Sequence, residues 1–324
     1  MTSREHINEY FNGRSFMVLC ALALVVAAFA AKAFGIQPPM VEGHGVFFSF
    51  DGPLIADGTL SPVVNVLCLL LTGGILLAVN KVFTFVRSMT HLCASAFYLL
   101  QLANPSGLVA FNAGTLMCLI TALTLPPLFA AYQDRHSQRS IFLIFALVAT
   151  GTMFHYGFLV LIPAFLLGFL NMGVLNLKGL LAMLFGLVTP YWIVMGLGIT
   201  SPMEAIAPQW ILQGRPPMTP LIALAAATAA LGCVLAGMNL HTIMNYRMQT
   251  RVYNAFFIIV LALTVIALIL DYRDITVYLP LLNLVVAVQV ALVHTLRNFP
   301  FRYIFLLLFI AGCAGFCTVN LLLP

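Results

Sequence analysis

Between Pro38 and Pro62 the chain reads PPMVEGHGVFFSFDGPLIADGTLSP, gathering Glu42, His44, Asp51, Asp57 and three phenylalanines within 25 residues. Carboxylates and an imidazole at this density are the groups that hold a divalent cation through oxygen or take a proton from an attacking hydroxyl. Phe47, Phe48 and Phe50 are expected to dip the segment into the headgroup layer, carrying the acids to the depth of lipid phosphates. Asp51 is the candidate general base or metal contact, with Asp57 and His44 in support. The spacing fits no stringent metal motif, and both Asp-Gly pairs also serve as turns, so an ordinary interfacial loop is the alternative.

Two further sites carry residues suited to phosphate. Residues 200–218 include Glu204, Trp210 and Arg215. An arginine fork matches phosphate or carboxylate, although the segment also reads as an amphipathic stretch anchored by Trp210. His155 stands in Phe154-His155-Tyr156-Gly157, at a joint between two short apolar runs. Broken helices of this kind line cavities, because free backbone groups cannot face lipid. His44, His155 and Arg215 are therefore the candidate substrate or phosphate contacts, and a lone structural histidine is the competing reading of His155. Arg87 and His91 share a helix face, where arginine can snorkel to inner headgroups.

The elements that must position these residues follow from composition. Hydrophobic residues make up 62% of the chain and charged residues 7%, against roughly half and a quarter in soluble domains. Apolar runs near the ~20 residues that cross a bilayer recur along the whole length. The expected fold is an all-α polytopic transmembrane bundle forming one integral membrane domain over residues 1–324, with external loops at 35–62 and 200–218. About eleven spans are expected, at 16–34, 63–79, 87–102, 115–131, 140–153, 156–170, 178–199, 219–238, 255–270, 278–296 and 303–322. The pair at 140–170 reads as a hairpin of short helices interrupted by Gly151, His155 and Gly157, or as one long helix.

Placing the N-terminus in the cytoplasm keeps Arg4, Arg14, Lys81, Arg87, Arg135, Arg139, Lys178, Arg247, Arg251, Arg297 and Arg302 inside, with Lys32, Arg215 and Arg273 outside. That is the asymmetry of a bacterial inner-membrane protein, and it puts the C-terminus in the periplasm. Six acids then face out: Glu42, Asp51, Asp57, Glu204, Asp271 and Asp274. No nucleotide-binding glycine loop occurs, and the seven cysteines lie in apolar runs as small hydrophobes. The positive charge flanks membrane spans and gives no reason to invoke nucleic acid. No acid falls in the middle of a span, which disfavours a proton-driven carrier, whereas a backbone-coordinated sodium site would escape that argument.

The stretches VNKVFTFVRSMTHLCASAFYLL, RSIFLIFALVATGTMFHYGFLVLIPAFLLG and NLKGLLAMLFGLVTPYW resemble a family of polytopic inner-membrane proteins of Bacteroidota. This resemblance implies a membrane location and no particular activity. The Phe-His-Tyr-Gly stretch is similar to O-antigen-type polymerases, and the acidic first loop with broken helices resembles glycosyltransferases that use polyprenyl-phosphate sugars. The latter resemblance implies a lipid-linked donor and a loop carboxylate, inherited by Asp51 or Asp57, acting as base or contact to a divalent cation. Transfer of a sugar or other group at the periplasmic face is thus the expected activity. A noncatalytic subunit of an envelope complex is the alternative, and a small-molecule or lipid transporter comes third.

Overall fold

A computed structural model describes residues 10–38, 42–51, 60–86, 90–134, 137–206, 219–243, 248–295 and 302–322, without the side chains of 42, 49–51, 202, 219, 243, 302 and 322. The chain is all-α apart from one small hairpin. Its helices are α1 (Arg14–Ala33), α2 (Leu60–Phe83), α3 (Leu92–Leu102), α4 (Ala113–Ala130), α5 (Gln138–Phe154), α6 (Leu161–Asn171), α7 (Leu177–Gly196), α8 (Thr219–Ile243), α9 (Met248–Leu270), α10 (Ile275–His294) and α11 (Arg302–Leu322). Among the described residues, eight helices are long and apolar enough to cross a membrane. The apolar helices Leu92–Leu102, Gln138–Phe154 and Tyr156–Asn171 are shorter. This is the pattern of a multi-pass, membrane-embedded protein.

Helix ends are written locally. Asn112 and Asn176 cap α4 and α7 by accepting from the Thr115 and Gly179 amides at 3.0 and 2.7 Å. Helices α1, α6 and α7 each stop at a glycine of positive φ, Gly35, Gly173 and Gly198, where paired bonds such as Gly35 N–H to Lys32 O and Ile36 N–H to Ala31 O close a Schellman turn.

Helix α10 is the axis of the bundle. Every one of its residues is buried, and α3, α4, α8 and α9 pack around it. At the periphery, only 11% of the α7 window and 22% of the α11 window are buried within the protein, so lipid must cover most of their apolar surface.

Helix α3 stops early, at Asn104-Pro105-Ser106-Gly107. Proline disfavours helical geometry at the residue before it, and the chain continues as buried irregular backbone to α4. Such backbone needs partners inside the protein, and asparagines from three other helices supply them. Asn65 of α2 donates to Gly107 O and Leu108 O at 3.0 and 3.1 Å. Asn320 of α11 donates to Ala103 O at 2.8 Å, and Asn283 of α10 to Leu100 O at 3.3 Å.

The 140–170 region is a hairpin. Phe145 and Phe169 have ring centroids 6.2 Å apart, whereas 24 residues of continuous helix would separate them by about 36 Å. Helix α7 then runs parallel to α5, since Gly179 lies against Ile141, Gly186 against Phe142 and Phe145, and Tyr191 bonds Thr152. Loops accordingly sort to two ends. Asn12, His91 and His294 meet at one, and His155, residues 42–48, Ile206 and Asp274 at the other.

The reversal is testable by disulfide formation. In a background lacking the native cysteines, Phe145→Cys with Phe169→Cys should cross-link under a membrane-permeant oxidant. Failure to cross-link in folded protein would count against it.

Candidate functional site

At the His155 end, helix α5 stops where His155 turns extended, at φ −155° and ψ 133°, before a 3-10 turn over Tyr156–Val160. His155 is almost fully buried, at 2% exposure. Its Nδ1 accepts the Gly157 amide hydrogen at 2.9 Å, which places the proton of the neutral ring on Nε2. That nitrogen lies 3.4 Å from Asp274 Oδ2, off the line of a hydrogen bond, so the contact is chiefly electrostatic. With one nitrogen taken by backbone and the other turned to a carboxylate, the imidazole orients Asp274 and has no nitrogen left for a substrate proton.

Asp274 ends the short turn Tyr272–Asp274 that joins α9 to α10. Asp271 precedes the turn and accepts a hydrogen bond from the Tyr278 hydroxyl at 3.1 Å. Burial first, and the charge of Asp274 second, hold the Asp271 carboxyl above its ordinary 3.8, while the Tyr278 hydroxyl, His155 and Arg273 pull the other way. Asp271 is only partly buried. It is thus the carboxylate here that combines access with a proton affinity raised toward general acid–base use. Arg273 lies over the Tyr272 ring, its Cζ 5.6 Å from the centroid.

The first loop roofs this cluster. Strands β1 (Glu42–His44) and β2 (Ser49–Asp51) pair antiparallel, with Glu42 opposite Asp51. The turn between them is tied by its backbone, since the Val46 and Phe48 amides donate to Thr152 O and Met153 O at 3.1 and 3.2 Å. Val46 O in turn accepts from the Ile206 amide at 2.8 Å, and the Tyr156 hydroxyl bonds Ile206 O. A Cβ on Gly43 would fall 1.9 Å from His155 Nε2, so only glycine lets this strand lie on the imidazole.

Several expectations change. The loop phenylalanines were expected to enter the headgroup layer, yet Phe48 stacks on Phe154 at 5.3 Å and Phe47 meets the Tyr191 ring edge-on at 5.9 Å. They hold the roof to α5 and α7. His44 lies edge-on to Tyr156 at 5.9 Å, the residue after His155, and His155 itself is buried beside Asp274. Asp57 and Arg215 lie outside the described residues, as does the side chain of Asp51, whose backbone belongs to β2. Asp271, Asp274 and Tyr278 were not singled out. Their signal was two acids three residues apart in a short turn, followed on the next helix by a tyrosine. Among the described residues no group of three or more His, Cys, Asp or Glu side chains could hold a metal ion.

Two outcomes follow from this geometry. Because the Asp271 pKa is raised in the fold, its contribution to stability is present below about pH 4 and lost as pH rises through the raised value. Asp271→Asn removes the charge, so thermal unfolding in detergent should show the variant gaining on wild type between acid and neutral pH. A constant difference would contradict this. Gly43→Ala should cost about 1–3 kcal/mol by overpacking, read as a lowered Tm, whereas Gly74→Ala, with open space around it, should not.

No protein-family model, curated protein or solved structure matches this chain.

Proposed function

We propose that the protein is a bacterial inner-membrane enzyme that transfers a sugar, or another group, from a lipid-linked donor such as a polyprenyl phosphate at the periplasmic face. In this reading the chain makes eleven crossings, with its N-terminus cytoplasmic and its C-terminus periplasmic. The observation that carries the proposal is the partly buried Asp271, of raised proton affinity, beside the buried His155–Asp274 pair. Nucleotide-activated donors are not available outside the membrane, whereas a lipid carrier brings an activated phosphate to the level of this cluster.

Asp271 would take the proton of the acceptor hydroxyl as its oxygen attacks the anomeric carbon. The bond from that carbon to the lipid phosphate oxygen breaks, and its electron pair leaves with the phosphate. The proton on Asp271 then passes to water, restoring the base. His155 is a positioning residue that fixes Asp274, whose negative charge keeps Asp271 basic. Arg273, on the same turn, is placed to meet donor phosphate, the role read from sequence for Arg215. Asp51 and Asp57 remain candidates for binding a divalent cation with the donor.

A second reading, a noncatalytic subunit of an envelope complex, is favoured by the large apolar face that α7 leaves uncovered by the rest of the chain. One comparison separates the two. In a deletion strain, polyprenyl-linked and surface glycans should change, wild type should restore them, and stably inserted Asp271→Asn should not. Full rescue by Asp271→Asn would remove the proposed base, and unchanged glycans in the deletion would overturn the transferase.

A further inference from the structure

Halfway along α10, where α3 breaks off, polar groups are deeply buried and poorly matched. Gln101 and Asn283 are 5% and 1% exposed. The Asn283 amide nitrogen faces Leu100 O at 3.3 Å and Gln101 Oε1 at 3.5 Å. The Gln101 amide nitrogen faces Pro280 O at 3.4 Å, and the Cys118 thiol faces the same oxygen at 3.5 Å. The three amide contacts exceed the usual 2.7–3.2 Å range of N–H···O hydrogen bonds. Meanwhile Asn283 Oδ1 and, one turn before Pro280, Thr276 Oγ1 are buried without a hydrogen-bond partner. Stranding such an atom costs about 1–3 kcal/mol.

The two orientations of the Asn283 amide each leave a fault. In one, Oδ1 has no donor. Turned by 180°, which exchanges oxygen and nitrogen, Oδ1 joins Leu100 O and Gln101 Oε1 as three oxygens face to face. A cation between them relieves the three facing oxygens, while the amide nitrogen takes the position in which Oδ1 had no donor. Ligands at right angles around an ion with metal–oxygen bonds of about 2.4 Å lie about 3.4 Å apart, and 2.3–2.6 Å is the range of calcium, an ion of sodium's size. Magnesium, at 2.0–2.1 Å, would draw them closer. The donor set has no carboxylate, which suits one positive charge better than two. Helix geometry adds to it, since the C-terminal carbonyls of a broken helix carry partial negative charge and are recurrent sodium ligands in membrane proteins.

We infer that Leu100 O, Gln101 Oε1 and Asn283 Oδ1, with Pro280 O next to the Gln101 amide, form a binding site for a dehydrated sodium-sized monovalent cation between α3 and α10. The site is independent of the group-transfer reading. It lies about 13 Å along the helix from Asp274 and would pin the axis that carries Asp274 and Tyr278.

The test is thermal unfolding of purified full-length protein in detergent, in sodium, potassium or choline chloride at equal ionic strength. Sodium should raise Tm saturably over choline, and potassium should raise it less. Asn283→Leu and Gln101→Leu should each abolish the sodium-specific shift. If both variants fail to fold, the milder Gln101→Asn, which withdraws the side-chain oxygen by one methylene, should weaken the sodium dependence. Equal Tm in all three salts would overturn the proposal and leave water as the bridging species. An equal shift with potassium would overturn the sodium-sized site, and a shift that survives in folded variants would place the ion elsewhere.

Discussion

Backbone that leaves helical geometry inside a membrane must find its hydrogen-bond partners within the protein, and the packing of this chain is organised around one such break. Residues 103–112 leave α-helical geometry and are mostly buried between α3 and α4, and Asn65 and Asn320 reach their carbonyls from α2 and α11. Each amide ties its own helix to the break. Thr115 extends the arrangement by donating to Asn65 Oδ1 at 2.7 Å. Apolar packing among helices has little driving force when lipid is equally apolar, so amides of this kind carry a disproportionate share of the specificity.

The same logic explains why α10 is the axis. A helix wholly enclosed by others can bear polar groups that would be costly against lipid, and α10 bears Asn283, Gln289 and His294 along its length, with Asp274 at its start. Asn239 of α8 donates to Gln289 Oε1 at 2.6 Å, locking a second neighbour. The cluster of Asp271, Asp274 and Tyr278 is thus mounted on the most constrained element of the fold. In the proposed reaction this placement would help, because a carboxylate held by packing loses little order when a substrate arrives.

The membrane class, most helix positions and the hairpin at 140–170 were legible in the sequence, because long apolar runs and the Gly151, His155 and Gly157 interruption are local signals. Partnership was not. Nothing near His155 in sequence announces Asp274, since their meeting depends on α5 and α10 ending at the same level. Asp51 drew attention because its loop is densely acidic, whereas Asp271 sits in a four-residue junction whose importance comes from what packs beneath it. The phenylalanines misled for a related reason: an exposed-looking aromatic loop reads the same whether its rings face lipid or the ends of neighbouring helices.

The roof over His155 is held largely by main-chain bonds, from Val46 and Phe48 to Thr152 and Met153 and from Ile206 to Val46. Such attachment is indifferent to most side chains. Apart from Gly43 and Gly45, which must let backbone and ring approach closely, and Phe47 and Phe48, whose rings pack on Tyr191 and Phe154, the hairpin can change its chemistry without loosening its seat. The other side chains of the hairpin can therefore be exchanged while His155, Asp274 and the helix ends beneath keep their positions.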